Sequence, residues 1–108
     1  MLFYRKNTPP EDPAGFSAEG KARKRIYFSG RVQGVGFRFT ADGLARQLGL
    51  TGYVKNLYDG RVEMEVQGAE DAIAQMLAEL RTDRYIRIER VDMTDKPVIP
   101  EFRFTMVY

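Results

Sequence analysis

Neither cysteine nor histidine occurs among the 108 residues. The first absence excludes a disulfide framework, a thiolate zinc site and a cysteine nucleophile. The second removes the commonest general base and the usual metal ligand. Any reaction catalysed here has to use arginine, lysine, carboxylates, hydroxyls, amides and backbone N–H groups. No apolar run approaches the roughly 18–20 residues that cross a bilayer. The opening Met1-Leu2-Phe3-Tyr4-Arg5-Lys6 carries charge where a signal peptide needs its apolar stretch, so a cytoplasmic protein without a membrane partner is expected. An excess of charge of one sign is missing too. The 17 basic and 15 acidic residues leave +2, which suits a small anionic ligand but is not the surplus of a dedicated nucleic-acid binder. The basic run Lys21-Ala22-Arg23-Lys24-Arg25 has no interleaved aromatic residue and reads as a solubilising lead into a strand.

What is present is the length of one compact domain, 44% hydrophobic. Residues 1–22 stand apart. The stretch Asn7-Thr8-Pro9-Pro10-Glu11-Asp12-Pro13-Ala14-Gly15 holds three of the five prolines and no periodic apolar pattern, so residues 1–22 read as a flexible extension and 23–108 as the domain.

From residue 23 the periodicity is regular. Ile26 and Phe28 alternate with Tyr27 and Ser29 in a first strand. Phe37, Ala41, Leu44, Ala45 and Leu48 recur at helical spacing, with Gly49 as the stop. Thr51 to Asn56 reads as a second strand, Leu57-Tyr58-Asp59-Gly60 as a hairpin turn, and Val62, Met64 and Val66 mark a third strand. Glu70 and Asp71 open a second helix with the charge its dipole favours, and Ile73, Met76, Leu77 and Leu80 form its buried stripe. Tyr85 to Met93 reads as a fourth strand with an irregularity near Arg90-Val91, and Phe102 to Tyr108 as a last one. The order β-α-β-β-α-β plus a short C-terminal strand is the ferredoxin-like α+β plan, an antiparallel sheet with two helices on one face. That plan hosts enzymes, RNA binders and regulatory modules alike. For single-stranded RNA, Tyr27 and Tyr53 would have to serve as exposed stacking platforms, but the Lys/Arg-Gly-Phe/Tyr-Gly/Ala-Phe pattern is missing.

The connection between the first strand and the first helix, Gly30-Arg31-Val32-Gln33-Gly34-Val35-Gly36, has three glycines in seven residues. They let successive N–H groups turn into one concavity ahead of a helix N-terminus, a site for a small oxyanion; a plain flexible connector uses the same glycines. Phe39 stands where the dinucleotide fingerprint needs its third glycine, and no Gly-Lys-Ser/Thr follows, so neither that motif nor a Walker A sequence is present. Arg38 falls in the helix's first turn, where a cation opposes the dipole unless an anion is bound, and its planar fork matches phosphate oxygens; the alternative is a solvated surface arginine. Asn56, before the turn, either bonds the local backbone or holds a water molecule beside the anion.

Gly30-Arg31-Val32-Gln33-Gly34-Val35-Gly36-Phe37-Arg38 closely resembles the first hallmark of the acylphosphatase family. Gly52-Tyr53-Val54-Lys55-Asn56, followed by Gly60-Arg61-Val62 and Gln67-Gly68, resembles its second. The resemblance covers residues 23 to 108 and implies an α/β sandwich of ferredoxin-like topology. It also implies hydrolysis of acyl phosphates to carboxylate and phosphate, a reaction whose good leaving group requires no cofactor and no metal. A monomer is the expectation at this chain size, although the exposed end strand leaves room for pairing with a second copy. The family's catalytic arginine maps onto Arg38 and its catalytic asparagine onto Asn56. Its phosphate-binding loop maps onto Gln33, Gly34, Val35, Gly36 and Phe37, which contribute mainly backbone N–H groups. Phe28 departs from the family's more usual aliphatic residue, a change expected to alter packing and not chemistry. The alternative on the same fold is a catalytically silent anion-binding or regulatory module.

Overall fold

The structure, a computed structural model, describes residues 15–108. Residues 1–14 of the expected extension lie outside the described residues. The Phe16 ring meets Phe102 edge-on at 5.9 Å, while residues 17–21 are exposed.

Seven elements follow: β1 (Ala22–Arg31), α1 (Phe37–Leu48), β2 (Thr51–Asn56), β3 (Val62–Gly68), α2 (Glu70–Thr82), β4 (Arg87–Lys96) and β5 (Phe104–Met106). The sheet order is β4-β1-β3-β2-β5. The first four strands form the expected antiparallel sheet, with Ile26 opposite Met64 and Val54 opposite the same Met64. The fifth strand differs: β5 pairs parallel to β2, Val54 opposite Met106, so the whole sheet is mixed. A parallel neighbour requires a crossover, which residues 97–103 make after β4.

Each strand buries alternate residues. Ile26, Phe28, Val54, Val62, Met64 and Val66 share one core with Phe37, Ala41, Leu44 and Ala45 of α1 and Ile73, Met76 and Leu80 of α2. Both helices therefore cover one face. Burying each large apolar side chain contributes about 1.5–3 kcal/mol. The Phe28 and Phe37 rings pack at 4.8 Å, so the aromatic residue at Phe28 seats the first residue of α1 directly.

The β1–β4 register slips at one point. Ser29 faces Arg90 while Gly30 faces Ile88, leaving Glu89 as an extra residue, close to the broken alternation expected at Arg90-Val91. A Cβ at Gly30 would stand 2.4 Å from the Arg87 carbonyl oxygen, so this bulge needs glycine. The fourth strand begins at Arg87 and not at Tyr85 because the Asp83 carboxylate accepts the N–H groups of Tyr85 (2.8 Å) and Ile86 (3.2 Å) and holds those residues in a turn. Among the described residues, no helix is long and apolar enough to cross a membrane.

Candidate active site

The two helices open differently. The first turn of α2 carries Glu70 and Asp71, the usual complement to a helix N-terminus. The first turn of α1 carries no acid, its N-cap Gly36 makes no side-chain cap, and Arg38 is its second residue. Unpaired N–H groups and a cation thus meet at one helix end with nothing anionic in the turn, an arrangement that an oxyanion completes. Gly34 and Gly36 bend the approach, both in the left-handed region at φ 74° and 81°.

Five residues expected in the site share a cleft of about 280 Å³: Gly34, Gly36, Phe37 and Arg38 line it, and Asn56 reaches it from the end of β2. Asn56 falls on the face of Gly52 and Val54, which is the helix side, because side chains alternate along the strand. Phe37 is only 2% exposed, so its ring belongs to the core and only its backbone can serve a ligand. Among the described residues, no group of three or more carboxylates is placed to hold a metal ion.

Gln33 and Val35 stand elsewhere. The Gln33 amide donates to the carbonyls of Leu57 (2.7 Å) and Arg61 (2.8 Å), tying the glycine loop to the β2–β3 turn. Within that turn the Leu57 N–H donates to Arg61 at 2.8 Å. One side chain thus holds the loop against the turn that starts at Asn56. Val35 borders a different cleft. Gln33→Ala is expected to cost about 1–3 kcal/mol in thermal or denaturant unfolding. Gln33→Glu is expected to cost more, since an ionised carboxylate has no donor to offer two carbonyls. Equal stability of all three proteins would contradict the tie.

Sequence reasoning missed the C-terminus. The Val107 carbonyl accepts a hydrogen bond from Arg38 Nη1 at 2.7 Å, and the Tyr108 ring lies 5.0 Å from the Arg38 guanidinium carbon. Met106 and Tyr108 complete the lining together with Val32 and the exposed Phe39. No local pattern signals this. It follows from the parallel β2–β5 pairing, in which Val107 N–H donates to the Val54 carbonyl at 2.9 Å, two residues before Asn56.

Comparison with known proteins identifies the family. Residues 24–106 match the sequence profile of the family described as Acylphosphatase. The chain is 42% identical over 80 residues to an acylphosphatase of Bifidobacterium longum, covering 73% of this chain and 82% of that protein. It is 39% identical over 89 residues to an acylphosphatase of Roseiflexus, covering 81% and 96%. In three dimensions it is similar to the acylphosphatase of Bacillus subtilis, with a TM-score of 0.76 and 34% identity over 81% of this chain and 99% of that one. A profile match from the third residue of β1 to the last of β5, with the same fold in a relative of that identity, means that the chain belongs to the acylphosphatase family.

Proposed function

We propose that this enzyme hydrolyses acyl phosphates by direct attack of water on phosphorus, with Arg38 and the N–H groups of residues 33–37 binding the phosphoryl oxygens and Asn56 orienting the water. The activity rests on family membership over most of the chain. The roles rest on one observation: Arg38 from α1 and Asn56 from β2 open onto the same cleft, beside Gly34 and Gly36. The catalytic unit is 23–108, with 1–22 an extension outside it, acting as a cytoplasmic monomer.

The toolkit fits the chemistry. Water attacks phosphorus, the bond from phosphorus to the carboxyl oxygen breaks, and that oxygen leaves as a carboxylate whose conjugate acid has a pKa of about 4. Such a leaving group needs no general acid, which a chain without histidine or cysteine would struggle to provide. The water proton passes to a phosphoryl oxygen as the loose transition state collapses. What the protein supplies is positioning and charge stabilisation on the transferred group. Alkyl phosphate monoesters, whose alkoxide must be protonated to leave, turn over very slowly for the same reason.

The test is hydrolysis of acetyl phosphate with a chelator present and the spontaneous rate subtracted, for the parent and Asn56→Ala. The expected result is turnover by the parent and a kcat about a hundredfold lower in the variant, with inhibition by inorganic phosphate unchanged because Asn56 holds water and not the anion. Equal turnover removes Asn56 from the reaction. A folded parent with no turnover over background overturns the reading.

A further inference from the structure

At Val35 the loop borders a second cleft, of about 450 Å³. Its lining brings together Arg31 at the end of β1, Arg81 in the last turn of α2, Arg84 in the turn after it and Arg87 at the start of β4. The two clefts share no lining residue, yet Val35 of this one stands between Gly34 and Gly36 of the other.

Among the described residues, most of the charge here is uncompensated. Arg23, Arg25, Arg46, Arg61 and Arg90 each have a carboxylate within ion-pair distance. Among the described residues, the arginines without one are Arg38, Arg103 and the four in this cleft. Asp83 is the carboxylate in the lining, and its Oδ1 is committed to the N–H groups of Tyr85 and Ile86. Four guanidinium groups against one aspartate leave +3 in one cleft of a chain whose total is +2. The negative end of α2 accounts for Arg81, in its last turn, but not for the other three. Like charges gathered around a concavity repel one another and raise the local concentration of anions.

We infer that this cleft is a second anion site, distinct from the catalytic one, that takes an oligophosphate chain. A single monovalent ion would neutralise one guanidinium and leave the others opposed. A run of phosphoryl groups presents a pair of oxygens to each planar fork, and the cleft is larger than the one that holds Arg38 and Asn56. The chain can come as an inorganic oligophosphate or as the tail of a nucleotide. For the second source the exposed Tyr85 ring, with Arg84 at 5.7 Å, offers a stacking face.

The test is isothermal titration of the full chain with sodium tripolyphosphate, and separately with ATP, both without metal. The proteins are the parent, Arg38→Ala, and the double variant Arg84→Ala with Arg87→Ala. Saturable binding is expected in the parent and in Arg38→Ala. The double variant is expected to bind at least about a hundredfold more weakly, roughly tenfold per charge-assisted contact, with its unfolding temperature and acetyl phosphate turnover unchanged. ATP binding that exceeds tripolyphosphate binding and falls in Tyr85→Ala assigns the nucleotide; equal affinities assign the phosphate chain alone. Binding lost in Arg38→Ala but kept in the double variant places the anion in the catalytic cleft and overturns the site, as does no saturable binding at all.

Discussion

Replacing Arg38 with alanine lowers kcat/KM for acetyl phosphate by about a thousandfold or more, the range in which an arginine facing a transferred phosphoryl group acts. Lysine at this position is expected to recover only a small part. It restores the charge, but its ammonium cannot satisfy the Val107 carbonyl and also present a planar pair of donors to two phosphoryl oxygens. The folded state should barely register either change. In the free protein Arg38 sits at a helix N-terminus with no acid in the turn, a placement that costs a few tenths of a kcal/mol. The Val107 hydrogen bond and the Tyr108 ring offset that cost. Rate and stability therefore separate: activity collapses while the unfolding temperature stays within a few degrees, and the rise in that temperature caused by inorganic phosphate disappears. A variant that still hydrolyses acetyl phosphate within tenfold of the parent would remove Arg38 from the chemistry. Deleting Val107 and Tyr108 should produce a milder version of the same defect, a higher KM with a smaller loss in kcat, because the guanidinium remains but loses its support.

That dependence on the C-terminus marks where the sequence was legible and where it was not. The bounds of α1 could be read because Phe37, Ala41, Leu44 and Ala45 repeat on one buried face and Gly49 adopts the left-handed conformation that ends a helix. β2 and β3 were equally plain from their alternation and the turn between them. The glycine loop and Arg38 carried a chemical signature that needs no knowledge of the sheet, whereas Asn56 by itself reads as a turn residue and was marked only by the family resemblance; the fold brings Gly34, Gly36, Arg38 and Asn56 to one cleft. What stayed hidden depends on contacts far apart in the chain. Whether β5 joins the sheet parallel or antiparallel depends on how residues 97–103 cross, which no periodicity records. The Gln33 side chain was hidden behind its neighbours, because a loop rich in glycine draws attention to its backbone while this amide bonds carbonyls 24 and 28 residues away. The turn at Asp83 to Ile86 was masked by apolar residues that mimic the start of a strand.

The crossover itself hangs on one buried cation, and its removal should be the most damaging single change to stability outside the core. Arg23 lies on the sheet face opposite the helices and is 4% exposed. Its Nε donates to Glu65 at 2.7 Å and its Nη1 to Glu101 at 2.7 Å, with Gln67 Oε1 at 3.2 Å. Gln67 in turn donates to the Ile99 carbonyl at 2.7 Å and accepts the Ile99 N–H at 3.0 Å. β1 and β3 thus grip residues 99 and 101 just before β5, and β5 carries Val107 to Arg38. Arg23→Met preserves much of the side-chain volume but takes from Glu101 its cation and leaves Glu65 with Arg25 alone, at 3.4 Å. The expected loss is about 3 kcal/mol or more, which for a domain of this size lowers the unfolding temperature by roughly 10 °C or more. The pH dependence identifies the cause. Burial alone would raise the Glu65 carboxyl, but the hydrogen bond and charge of Arg23, with smaller contributions from the charges of Arg25 and Lys96, outweigh it and hold the group below its usual value. A depressed carboxylate stabilises the fold above its unfolded pKa, about 4.3, and that contribution fades as pH falls through the lower folded value. The parent should therefore lose stability on acidification below about pH 4.3, while Arg23→Met, having already lost the Arg23 part of this contribution, should lose less. The gap between them should be widest near neutrality and narrow in acid. A gap independent of pH would assign the loss to packing alone. At temperatures well below unfolding, the same variant should bind inorganic phosphate more weakly than the parent, because a loosened crossover frees the C-terminal carbonyl that holds Arg38 in place.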